Sequence, residues 1–124
     1  MNEEILMLKL KGYCCSQIIT ELGLQAMGKE NPDYVKASAG LCFGLGHGNN
    51  CGIVTAAFCL MYLSDPEKAH YELADDFYEW FESEFGSIEC EALLDGDMLN
   101  KVEKCPMMIS ASLIKLAELM DWEG

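Results

Sequence analysis

Arginine is missing, histidine occurs only twice, and all eight basic residues are lysines set singly among 21 acids. With a formal net charge of −13 and no basic stripe, the chain lacks the cations that phosphate contacts and counterion release require. No nucleic acid partner is expected. A serine or cysteine hydrolase would need a histidine base near a nucleophile elbow, and neither His47 nor His70 stands by one. Gly44-Leu45-Gly46-His47-Gly48 does not complete GxGxxG and follows no strand pattern, and no Walker pattern occurs. Dinucleotide and phosphate loops are thereby excluded.

Among the 7 cysteines there is no CxxC pair, which rules out zinc ribbons and ferredoxin spacing. The longest mostly apolar stretch, Cys51 to Leu63, is short of the roughly 20 residues a membrane span needs. Acids at Glu3 and Glu4 stand where an export signal carries positive charge. These features predict a cytoplasmic protein with no membrane association and with reduced thiols. The odd cysteine count and an apolar content of 51% argue against structural disulfides. Metal ligation or redox chemistry is the expected use of the sulfur.

With 124 residues, the chain holds enough apolar side chain for one core and too little for two, so residues 1–124 read as a single domain. No sustained period-two alternation, internal repeat or low-complexity segment is present. Helical patterns run from Asn2 to Lys11, Tyr13 to Ala26, Tyr34 to Phe43, Cys51 to Leu63, Pro66 to Phe85, Ile88 to Leu94 and Pro106 to Trp122. The expected fold is an all-α bundle of about five or six helices, with a glycine-rich loop before a central buried helix. Ala74, Phe77, Tyr78, Phe81 and Phe85 form an inner stripe, while Glu72, Asp75, Asp76, Glu79 and Glu82 face water. That acidic face is a solvated surface or a dock for a basic redox partner protein. Asp95-Gly96-Asp97 reads as a turn.

On this map Cys15, Cys51, Cys90 and Cys105 fall at four helix beginnings. Orphan N–H groups and the positive dipole end there favour a thiolate, which is both metal ligand and nucleophile. The loop residues Gly44, Gly46, His47, Gly48 and Gly52 would add backbone donors and a close wall for a cofactor. Cys42 and Cys59, inside apolar helical segments, read as core. Cys14 projects about 100° away from Cys15 and reads as a spare or resolving thiol. His47 is a ligand, a proton donor or simply solvated, and His70 is surface.

Gly12-Tyr13-Cys14-Cys15-Ser16-Gln17, the glycine-rich run from Ala39-Gly40 to Gly48 with Asn50-Cys51-Gly52, Gly86-Ser87-Ile88-Glu89-Cys90 and Lys104-Cys105-Pro106 together resemble the C-GCAxxG-C-C family, whose members are described as redox-active. The likeness covers most of the chain. Cys15, followed by a small residue and Gln, takes the first position. Asn50 stands where the family name has Gly, and the small residues after Cys51 are Gly52, Thr55, Ala56 and Ala57 in a different arrangement. The resemblance implies a helical domain with a redox role. Related domains occur with haem in split-Soret cytochromes, where an iron–sulfur site has been proposed; no haem-attachment CxxCH occurs here.

Three readings follow. Cys15, Cys51, Cys90 and Cys105 converge on an iron–sulfur cluster, or zinc, for electron transfer or sensing. Alternatively, two of them cycle between dithiol and disulfide without a metal. In the third, the chain is a helical interaction module with structural cysteines. The broad apolar surface of the last helix, with Ile109, Leu113, Ile114, Leu116, Leu119 and Met120, predicts a homodimer.

Overall fold

Apolar residues at three- and four-residue spacing fold into an all-α architecture, as the periodicity predicts. The computed structural model describes residues 2–94 and 101–122. Helix α1 (Asn2–Leu10) stops before Gly12, whose φ of +93° turns the chain. Cys14 then caps α2 (Cys15–Ala26), and the Gln17 side chain accepts from the Cys14 amide at 3.1 Å. Asn31 caps α3 (Pro32–Ala37) by accepting from the Tyr34 amide, and a tighter turn, Ser38–Leu41, follows. The sequence pattern ran this helix to Phe43. It ends sooner because Cys42, directly after that turn, is extended, with ψ of 145°.

Helix α4 (Gly52–Ser64) is apolar on nearly every face, and so it lies at the centre of the bundle. Gly23 of α2 brings these two helices together, since a Cβ there would run into the Leu60 side chain. Asp65 caps α5 (Pro66–Lys68), which passes through a widened turn, Ala69–Leu73, into α6 (Ala74–Phe85). As the stripe predicts, Phe77 and Phe81 are fully buried while Glu72, Asp75, Asp76, Glu79 and Glu82 are exposed. Burying each of these rings stabilises the fold by about 2–3 kcal/mol. Gly86, at φ of +88°, ends the helix. Short α7 (Cys90–Leu93) precedes α8 (Lys101–Met120), and the predicted Asp95-Gly96-Asp97 turn lies outside the described residues.

The last helix departs from expectation in two ways. Pro106 is inside it rather than at its start, so Cys105 is not a cap. The turn before the proline is tied down by a tertiary contact, the Lys104 ammonium donating to the Leu93 carbonyl at 3.0 Å. Its apolar breadth is also largely used internally: Ile109, Leu113 and Leu116 are buried, Leu119 and Met120 half-buried, and Ile114 exposed. Met107 and Ile114 join Leu6 and Leu10 of α1 along an open apolar groove. No helix among the described residues is long and apolar enough to cross a membrane.

Candidate functional site

The glycine-rich segment is a left-handed turn. Phe43, Gly44, Leu45 and Gly46 follow one another with φ of 51°, 52°, 63° and 77°, and the Asn49 amide closes the turn on the Gly44 carbonyl at 3.2 Å. Phe43 and Leu45 each carry a left-handed cost of about 1–2 kcal/mol. Gly44 has no such choice, because a Cβ there would collide with the Asn49 backbone. The turn delivers residues 49–51 alongside 88–90. The Cys51 amide donates to the Ile88 carbonyl at 2.6 Å, the Cys90 amide donates to the Asn49 carbonyl at 2.7 Å, and Asn50 faces Glu89 antiparallel. In such a pair Cys51 and Cys90 share a face as diagonal neighbours, about 7–8 Å apart or less. Each then leads into a helix, Cys51 as the cap of α4 and Cys90 as the first residue of α7.

Cys51 is only 4% exposed, and burial first pushes its thiol up to about 12. The charges of Cys15 and Cys90 push in the same direction, against the Ile53 and Val54 amides that favour the thiolate. The expectation of a thiolate stabilised by its helix end is therefore corrected at this residue: desolvation outweighs the helix amides. The same electrostatics put Cys15 and Cys90 within interacting range of Cys51. Cys15 and Cys105 in turn line one cavity of about 340 Å³ with Cys14, Lys9, Tyr13 and Ile18. So Cys51 is gathered with Cys15 and Cys90, and Cys15 with the buried Cys105 of α8. Among the described residues no group of three or more His, Cys, Asp or Glu side chains is placed to hold one metal ion.

Other sulfur positions revise the sequence reading. Cys14 and Cys42 form a disulfide, with Cα atoms 6.2 Å apart, where none was expected. The tight turn after α3 brings Leu41 against the start of α4, so the loop arrives beside the α2 cap, a proximity no spacing rule signals. Cys42 is thus half-buried and bonded rather than core. Cys59 is exposed, because it falls on the α4 face beside Tyr34 and not on the central one. Burial, and then the Cys59 charge, raise the Tyr34 phenol above its ordinary value.

The loop residues proposed as a cofactor wall mostly meet protein. At Gly48 a Cβ would touch Glu91, and at Gly52 it would lie 2.8 Å from the Leu41 carbonyl oxygen and 3.3 Å from the Ser16 Cβ. Only Gly46 opens to space, next to exposed His47, whose Nδ1 bonds the Leu45 carbonyl at 2.8 Å. His70 is exposed, 3.4 Å from the Tyr62 hydroxyl.

Fold and site together define an all-α protein in which buried Cys51 interacts with Cys15 and Cys90, and Cys15 shares a cavity with Cys105. The family model described as "Putative redox-active protein (C_GCAxxG_C_C)" matches residues 13–119, and the chain belongs to that family, which supports a redox function. No curated protein and no solved structure matches the chain.

Proposed function

We propose that the chain is a small electron-transfer or redox-sensing protein whose Cys15, Cys51, Cys90 and Cys105 hold an iron–sulfur cluster. The observation that carries this reading is Cys51, a buried thiol kept protonated by desolvation and by the charges of Cys15 and Cys90. A thiol in that condition is a poor nucleophile at neutral pH, which disfavours direct disulfide cycling through it. A cationic centre reverses the balance, because gathered thiolates are the ligands its charge compensates.

An all-thiolate donor set is soft and selects iron–sulfur centres or zinc. A single tetrahedral ion needs every sulfur about 2.3 Å from one point, a set not found among the described residues. A cluster brings bridging sulfides and spreads its thiolates over several irons, so it suits a looser gathering. Bound there, the group would supply a one-electron couple. The chain's own residues contribute the amides of Ile53 and Val54, which offset thiolate charge, and the apolar Ile18 and Ile109 of the cavity wall, which restrict water.

The exposed acids of α6 suit a basic redox partner protein, and a homodimer would use the groove between α1 and α8. A solution mass equal to one chain ends the dimer reading. Anaerobic purification followed by iron, sulfide and zinc analysis tests the main reading. The expected result is iron with acid-labile sulfide, lost in Cys51→Ser. A colourless, metal-free protein from that preparation would sink it.

A further inference from the structure

The Cys14–Cys42 disulfide lies outside the four-thiol set. Cys14 is half-buried and lines the open cavity that also reaches Cys15 and Cys105, the side from which a reductant would come. Cys42 is not part of that cavity wall. Its Sγ lies 2.7 Å from the Oγ of Ser16, a residue of 0% exposure, while the Cys14 Sγ is 3.6 Å from the same oxygen.

Ser16 donates its one hydroxyl proton to the Ser38 carbonyl at 2.6 Å. Ser38's own hydroxyl is committed to the Val35 carbonyl at 2.7 Å, so it offers Cys42 no proton either. The side of Ser16 turned toward Cys42 therefore carries lone pairs. A disulfide sulfur has no proton to give them, whereas a thiol has one. The surroundings of Cys42 complement the reduced form better than the oxidised one.

We propose that Cys14 and Cys42 form a second redox site, a two-electron dithiol–disulfide couple reduced by a dithiol, with Ser16 as the positioning residue that favours the reduced form. One thiolate of the reductant attacks the Cys14 sulfur, the Cys14–Cys42 bond breaks, and Cys42 leaves and takes a proton from solvent. The Cys42 thiol then donates to the Ser16 oxygen. The reductant's second thiolate attacks its own sulfur in the mixed disulfide, and Cys14 leaves as a thiolate that is protonated in turn. Two electrons and two protons pass to the protein, and the reductant departs as a disulfide. This couple stands beside the four-thiol site and does not depend on what those thiols hold.

The test equilibrates the full chain in dithiothreitol buffers of set reduced-to-oxidised ratio, quenches with acid, alkylates, and reads the Cys14–Cys42 linkage by mass spectrometry. The expected result is a reversible two-electron transition in the folded protein, with Ser16→Ala shifting the equilibrium about fivefold toward the disulfide, the size of one ordinary hydrogen bond. In Cys42→Ala, Cys14 is expected to be alkylated while circular dichroism still reports the native helix content. A disulfide that opens only on unfolding overturns the proposal. So does a Ser16→Ala equilibrium equal to that of the wild type, or a Cys14 that resists alkylation in folded Cys42→Ala. Iron measured in the same samples keeps the two sites apart, since an intact couple in an iron-free protein counts against the cluster alone.

Discussion

Helix α6 and the cysteine end of the bundle reach the same core by different means. Along α6, Phe77, Phe81 and half-buried Trp80 and Phe85 pack ring against ring at centroid distances between 4.8 and 6.2 Å, all supplied by one run of sequence. At the other end, Cys15, Cys51, Cys90 and Cys105 come from α2, α4, α7 and α8, and a three-residue antiparallel pairing holds two of them. Local periodicity builds the first region, and long-range backbone contacts build the second. The cysteine end combines apolar burial with left-handed backbone and buried thiols, within the same core that holds Phe77 and Phe81.

Phe81→Ala is the strongest way to break that comparison on the aromatic side. It removes a fully buried ring and should cost about 3–5 kcal/mol in urea unfolding. Iron bound per folded molecule should stay unchanged, because no cysteine of the proposed set is on α6. Iron lost in proportion beyond the unfolded fraction would show that the two regions are one cooperative unit.

Gly52→Ala attacks the other side. Its Cβ would meet the Leu41 carbonyl oxygen at 2.8 Å and press on Ser16, so about 1–3 kcal/mol of destabilisation is expected. Here the functional loss should exceed the stability loss, since Gly52 follows Cys51 directly and any shift moves that sulfur. Equal iron per folded chain in Gly52→Ala and wild type would mean that this packing does not position the site.

The same difference explains what was legible in the sequence. The stripe of α6, the stop at Gly86 and the apolar α4 are read from spacing alone, because each is set by neighbours three or four residues away. Pro106 misled because a proline usually opens a helix, whereas here a turn precedes it whose Lys104 makes a tertiary contact to Leu93 that no local spacing signals. The choice of Cys15, Cys51, Cys90 and Cys105 rests on their places near predicted helix beginnings and then on the family likeness, and the Asn50–Glu89 pairing is too short to leave a period-two signal. The Cys14–Cys42 bond and the exposure of Cys59 depend on how α3 and its loop fold back, which no single segment encodes. Ser16 carried one legible signal, a small polar residue within an apolar helical run, and the structure buries it with its hydroxyl bonded to the Ser38 carbonyl.

The smallest expected effect separates the regions by pH. Burial holds the folded Cys51 thiol up to about 12 against an ordinary 9.0, so between those values the unfolded chain binds fewer protons than the folded one. Stability from this residue is whole below about pH 9 and is lost as pH rises toward 12, with a slope of up to about 1.4 kcal/mol per unit. Tyr34 is raised as well and adds to the alkaline loss, but that share is common to wild type and variant. Urea unfolding of metal-free, reduced protein at about pH 9 and pH 10 should therefore show a decline in wild type exceeding that of Cys51→Ala by about 1 kcal/mol. Parallel declines would mean that Cys51 ionises in the folded chain as readily as in the unfolded one. In that case the sulfur is no longer a buried thiol that a cation would have to stabilise, and this end of the bundle differs from α6 in packing but not in electrostatics.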